Sequence, residues 1–155
     1  MKKIAFLTLF LSFALNAQVS KTIVITGNIE KPTTVDFADL KDYASHSIDS
    51  LVILNHLKGV LLKEVLSKAV FAVNSPKELS EFYIVCVADD GYKVAFSWNE
   101  IFNSPTGEKA PILTEINGNA TIDQKEGIVL VTPTNKATGR RYVKSLSKIT
   151  IHQVQ

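Results

Sequence analysis

The chain has 155 residues, with 17 lysines and arginines against 15 acids, a formal charge of +2 and a single cysteine. That length builds one domain with a core of its own and excludes two of ordinary size. The near-neutral charge excludes a whole-molecule field suited to nucleic acid or an anionic membrane, and one cysteine excludes an internal disulfide.

The first stretch stands apart from the rest. Lys2 and Lys3 open it, Ile4 to Leu15 is an apolar run too short to span a bilayer, and Asn16-Ala17 precedes Gln18. This pattern predicts a secretory signal peptide over residues 1–17 and a single domain over 18–155, periplasmic or secreted, with no membrane insertion after cleavage. Cleavage removes two lysines and no acid, so the remaining basic character is local.

Lys21 to Ile29 carries Ile23, Ile25 and Ile29 on one face and predicts a strand, ended at Glu30-Lys31-Pro32. Thr34-Val35-Asp36 leads into a short helix with Asp36 as its cap and Phe37, Leu40 and Tyr43 or Ala44 as its apolar stripe. Ser50 to Leu57 reads as a strand, broken at Lys58-Gly59. The main helix follows, with Leu62, Val65, Leu66, Ala69 and Val70 at helical spacing. Asn74-Ser75-Pro76 is a loop, with a turn over Lys77 to Leu79.

Glu81 to Ala88 is the strongest strand, and both its faces are apolar, which predicts a central position. Asp90-Gly91 reads as a two-residue hairpin turn, with Tyr92 to Phe96 returning antiparallel. Ser97-Trp98-Asn99-Glu100 matches a capping box opening a short helix. Pro111 to Ile116 is a strand and Asn117-Gly118 a turn. Ile128 to Val131 is a short buried strand, and Ser147 to His152 closes the sheet. Strands dominate, with one main helix and short ones. The expected class is α+β, with helices packed on a mainly antiparallel or mixed sheet.

Between the last two strands lies Thr132 to Lys144, which holds four cations (Lys136, Arg140, Arg141 and Lys144) and no acid. Hydroxyls and guanidinium groups around a turn are the parts of an anion site. Thr134 and Thr138 add hydroxyls to the same reading. The alternative is a solvated charge run whose threonines satisfy backbone. Cys86 sits between Val85 and Val87 and reads as a small core residue rather than a reactive thiolate. His46, His56 and His152 are scattered without zinc spacing, and no metal ligand set is expected. Trp98 reads as core packing, Asp90 as a turn residue and Asp89 as solvated. No hydrolase elbow or phosphate-binding glycine loop is present.

Several segments in this order carry a resemblance. They are Ile25 to Pro32 with Val35 to Leu40, Gly59 to Leu66, Asp90-Gly91-Tyr92, Ile112-Leu113 with Asn117-Gly118, Val131-Thr132-Pro133, and Gly139 to Ile149. Together they resemble the molybdopterin-binding domain of the sulfite-oxidase family in its small exported form, over nearly the whole mature chain. The resemblance implies that family's fold, a molybdopterin cofactor, and oxidoreductase chemistry with a redox partner protein. On it, Arg141 and Lys144 match the basic pair near the pterin phosphate, and Tyr92 matches a tyrosine near the substrate pocket, the one candidate catalytic residue. The chain departs from the family in three places. No cysteine lies upstream of Gly59, where catalytic members ligate molybdenum. Val129 stands nearest the place of an expected arginine, and Ser145 that of a tryptophan.

Two expectations follow. One is an exported molybdopterin-binding protein, an oxidoreductase if the metal is present but without the usual cysteine ligand, holding a pterin-type or other anionic small molecule through Arg141, Lys144, Arg140, Thr134 and Lys136. The other is a non-catalytic ligand-binding or partner-binding module of the same fold.

Overall fold

The computed structural model describes residues 19–48 and 56–155, apart from the side chain of Thr138. The expected signal peptide lies outside the described residues, as does most of the strand predicted from Ser50. The strands are β1 (Thr22–Gly27), β2 (Thr33–Asp36), β3 (His46–Ile48), β4 (Leu57–Leu61), β5 (Phe82–Ala88) and β6 (Lys93–Ser97). They continue with β7 (Pro111–Ile116), β8 (Asn119–Ala120), β9 (Val129–Leu130) and β10 (Leu146–Gln153). Two short helices, α1 (Leu62–Leu66) and α2 (Trp98–Phe102), join them.

The strands form two sheets. The first has the order β2-β1-β10-β5-β6; the second runs β3-β4-β7-β8, with β9 also on β7. In the first sheet β1 and β10 are parallel, with Val24 opposite Lys148, and the other pairings are antiparallel. The class is α+β with a mixed sheet, as the element pattern predicts. The strand read over Ser147 to His152 does not end the sheet, however. It is the central strand, held between β1 and β5.

Alternation along β5 sets the orientation of the first sheet. Phe82, Ile84, Cys86 and Ala88 are buried, while Tyr83, Val85 and Val87 are half-buried. The expected central position holds in that β5 is an interior strand between β10 and β6, but it seals one face only, and β10 holds the centre. The buried face packs on α1, α2 and one side of the second sheet, through residues such as Leu62, Ile101, Ile112 and Leu130. The other side of the second sheet gathers Leu57, Leu113, Ile116, Val129 and Val131 into a smaller cluster. Five-residue helices have little stability alone. These exist because burying a Leu or Ile side chain contributes about 1.5–3 kcal/mol.

Four local readings are corrected. Thr34, Val35 and Asp36 belong to strand β2, paired with β1, and only the 3-10 turn Phe37–Asp42 follows. Lys58 and Gly59 do not break a strand; they lie inside β4, at a register shift against β7. Glycine is needed there because a Cβ would stand 2.5 Å from the carbonyl oxygen of Ile112. The main helix stops at Leu66, and Val70 is 57% exposed. Its backbone is claimed elsewhere: Glu30 donates to the Val70 carbonyl at 2.9 Å, and Ala72 donates to Asn28 at 3.1 Å. Lastly, the β5–β6 hairpin turns over three residues, Asp89 to Gly91. Ala88 and Tyr92 close it at 2.9 Å, and Gly91 takes φ +86°, which an L side chain resists.

Candidate functional site

The polar segment after β9 begins buried and ends exposed. Val131 and Thr132 are sealed, and the chain then crosses a turn over Pro133 to Ala137 into a 3-10 turn at Thr138–Arg141. It returns to the second sheet's edge where Leu130 and Val143 bond to each other twice at 2.9 Å. That bridge pins both ends of the segment, so its cations are carried on a fixed loop.

The structure gives each candidate residue a distinct place. Arg141 forms an ion pair with Glu100 of α2, and its guanidinium lies 4.7 Å from the ring centre of Phe96. Glu100 is placed by its own helix cap, since its backbone N–H donates to Ser97 Oγ at 3.1 Å. The carboxylate expected to complete a capping box goes to Arg141 instead. Lys144 forms an ion pair with Glu126, whose second oxygen accepts the Tyr142 hydroxyl at 2.6 Å. Arg140 is exposed; its carbonyl oxygen accepts the Tyr92 hydroxyl at 2.5 Å. Thr134 and Lys136 are exposed. Thus Tyr92 braces the hairpin to the loop. The two matched cations are each joined to a different acid from another part of the chain.

The electrostatics follow from these contacts. Burial raises the Glu126 pKa, but hydrogen bonds from Lys144 and Tyr142, with the lysine's charge, outweigh it and hold the carboxyl below its ordinary 4.5. Tyr142 is pushed up, by burial first and then by the hydrogen bond to, and the charge of, Glu126. Inside the loop, Thr132 Oγ1 and Asn135 Nδ2 are buried with no partner.

Two clefts lie beside β3. One, of about 410 Å³, is lined by His46, Ser47, Leu61, Lys109, Pro111 and Pro133, among others. His46 Nε2 lies 3.0 Å from Glu64 Oε1, and Glu64 also accepts the Leu61 N–H at 3.2 Å, so the histidine is oriented by an anchored acid. The second, about 630 Å³, has His56, Lys58 and Glu115 on its walls, with Lys58 donating to both Glu115 oxygens at 3.1 Å. His56 is exposed with φ +51°, at the rim where β4 begins. Pro133 alone of the loop reaches the smaller cleft, among its lining residues.

No protein-family model and no curated protein matches this chain. Among solved structures, it is similar to the sulfane dehydrogenase SoxCD from Paracoccus pantotrophus, with a TM-score of 0.62 at 18% identity. The fold is similar to that of a sulfite-oxidase-family protein. The similarity covers 89% of this chain and 39% of the SoxCD chain, so this chain spans well under half of that enzyme subunit. At this identity the likeness concerns fold alone.

The residues present do not fit the metal half of a molybdopterin centre. The chain's one thiol, Cys86, is fully buried on the inward face of β5, where burial pushes its pKa up to about 12. A cysteine ligates metal as its thiolate, the form that this burial disfavours. Among the described residues no three His, Cys, Asp or Glu side chains gather as a metal site. The phosphate half is engaged as well, since Arg141 and Lys144 are both paired. Sequence reading found the cations and missed their partners Glu100 and Glu126, which lie 41 and 18 residues away in the chain.

Proposed function

We propose that this protein is a non-catalytic binding module of the sulfite-oxidase-type fold, exported after loss of residues 1–17, in which the fold persists without molybdenum chemistry. The observation that carries this reading is the position of Cys86: the sole cysteine is sealed in the core, with its proton held tightly. The smaller cleft beside β3 is the ligand site. Its volume falls in the range of small-molecule pockets. His46 held by Glu64 supplies a donor or acceptor at one wall, Lys109 a cation at another, and Leu61, Pro111 and Pro133 an apolar lining. A small, polar, part-apolar molecule suits that lining.

The competing reading is a molybdopterin protein in which another group completes the metal's coordination. Molybdenum and pterin fluorescence per chain separate the two, measured on protein recovered from the exported fraction of a cofactor-replete host. The proposal expects neither in stoichiometric amount. One molybdenum and one pterin per chain refutes it. Equally, the double variant Arg141→Ala with Lys144→Ala is expected to leave metal content unchanged.

A further inference from the structure

Resting on the cofactor-free reading above, we infer that Glu100 and Glu126 are the chain's own anions. Each occupies one cation of the Thr132–Lys144 loop, Arg141 or Lys144, in place of an external oxyanion, and so keeps a latent oxyanion position closed. The loop itself holds four cations and no acid, so any acid that pairs with them comes from outside it. Two of the four, Arg141 and Lys144, are paired by acids from elsewhere in the chain, and each acid is more than a loose surface neighbour.

Glu126 makes two contacts to the loop and two to Ser145, the residue that follows it. Its side chain accepts Lys144 Nζ on one oxygen and the Tyr142 hydroxyl on the other, at 2.6 Å. Its backbone carbonyl accepts the Ser145 N–H at 2.7 Å and the Ser145 hydroxyl at 3.2 Å. An ammonium and a hydroxyl converging on two adjacent oxygens is the donor set that a phosphate or sulfate would receive. Glu100 does the same for Arg141, whose guanidinium is fixed between the carboxylate and the face of Phe96. Each acid side chain is roughly one-third exposed or less, so water competes for these positions only in part. The charge of each glutamate also repels any anion approaching the same cation.

Removing that charge should open the site. The purified full chain is titrated with inorganic phosphate and, separately, sulfate by calorimetry, as wild type, Glu126→Gln, Glu100→Gln and the double variant. An ion pair of this kind has to be displaced before its cation serves another anion, and that worth corresponds to about a fivefold change in affinity. At least one folded single variant should therefore bind phosphate about fivefold more tightly than wild type. Adding Lys144→Ala to Glu126→Gln should abolish that variant's gain. Circular dichroism identifies the folded variants; if Glu126→Gln does not fold, Glu100→Gln, which lacks the tyrosine contact, carries the test. Equal binding in wild type and in every folded variant overturns the inference, as does a Glu126→Gln gain that survives loss of Lys144. Molybdenum content read on the same samples reports on the cofactor-free reading separately. Stoichiometric metal overturns that reading, whereas absent metal with unchanged phosphate binding overturns this one.

Discussion

Changing Glu126 to Gln tests whether the loop is held by charge. The pair with Lys144 is part-exposed, at 33% for Glu126 and 55% for Lys144, and such pairs contribute about 0.2–1 kcal/mol. The Tyr142 hydroxyl adds a hydrogen bond to a charged acceptor, worth about 1.5 kcal/mol at the low end of its range in this setting. A glutamine oxygen still accepts from the tyrosine, so the net loss is about 1 kcal/mol, or about 2–4 °C in Tm for a chain of this size. The sign with pH is fixed by the depressed carboxyl. The stabilisation is fully present above the ordinary value of 4.5 and is lost as pH falls through the lower, folded value. Tyr142 stays protonated throughout, because its own pKa is raised. Thermal melts of wild type and Glu126→Gln, followed by circular dichroism from about pH 2.5 to 7.5, should show a Tm gap at neutral pH that closes on acidification. A gap that is constant across that range, or that widens in acid, refutes the reasoning.

Two further outcomes are expected. Cys86 should fail to react with a thiol reagent in the native protein at neutral pH and react fully in denaturant; rapid native labelling would show that β5 does not seal it. Gly59→Ala should cost about 1–3 kcal/mol by denaturant unfolding, since its Cβ meets the Ile112 carbonyl and the two strands have to part. An unchanged unfolding midpoint would mean that β4 and β7 are not as close as described.

Much of the first sheet was legible because β-strand patterning is local. Ile23 and Ile25 in β1 announce their buried face by alternation alone, whereas β5, apolar at every position from Phe82 to Ala88, announces a strand but not which face is sealed. What that pattern does not carry is the identity of the neighbour. β10 looks like any half-polar strand, and only its pairing with both β1 and β5 makes it central. Gly59 illustrates the same limit: in sequence a glycine reads as a break, while in the sheet it is the residue that lets a neighbouring backbone approach. Past helix α1 the chain answers to distant residues too, since Glu30 and Asn28 take the Val70 carbonyl and the Ala72 N–H.

The candidate site divides in the same way. The loop and its cations are a local composition signal and were visible. Their charge partners were not, since nothing near Arg141 or Lys144 in the chain points to Glu100 or Glu126. Glu100 had a sufficient local role at the N3 position of a capping box, and that role concealed the pairing. A basic segment without acids of its own calls for acids elsewhere in the sequence, and the isolated Glu126 just before Gly127 was the signal available.

The parallel pairing of β1 with β10 has a consequence for how the chain comes to its final state. The strand that occupies the middle of the first sheet follows all the others in sequence. Until it has been synthesised, β2-β1 and β5-β6 are two separate hairpins with their inner edges unsatisfied. Pairing of such sequence separation is slow to form. A nascent chain of this design therefore keeps the inner edges of both hairpins open until β10 has emerged.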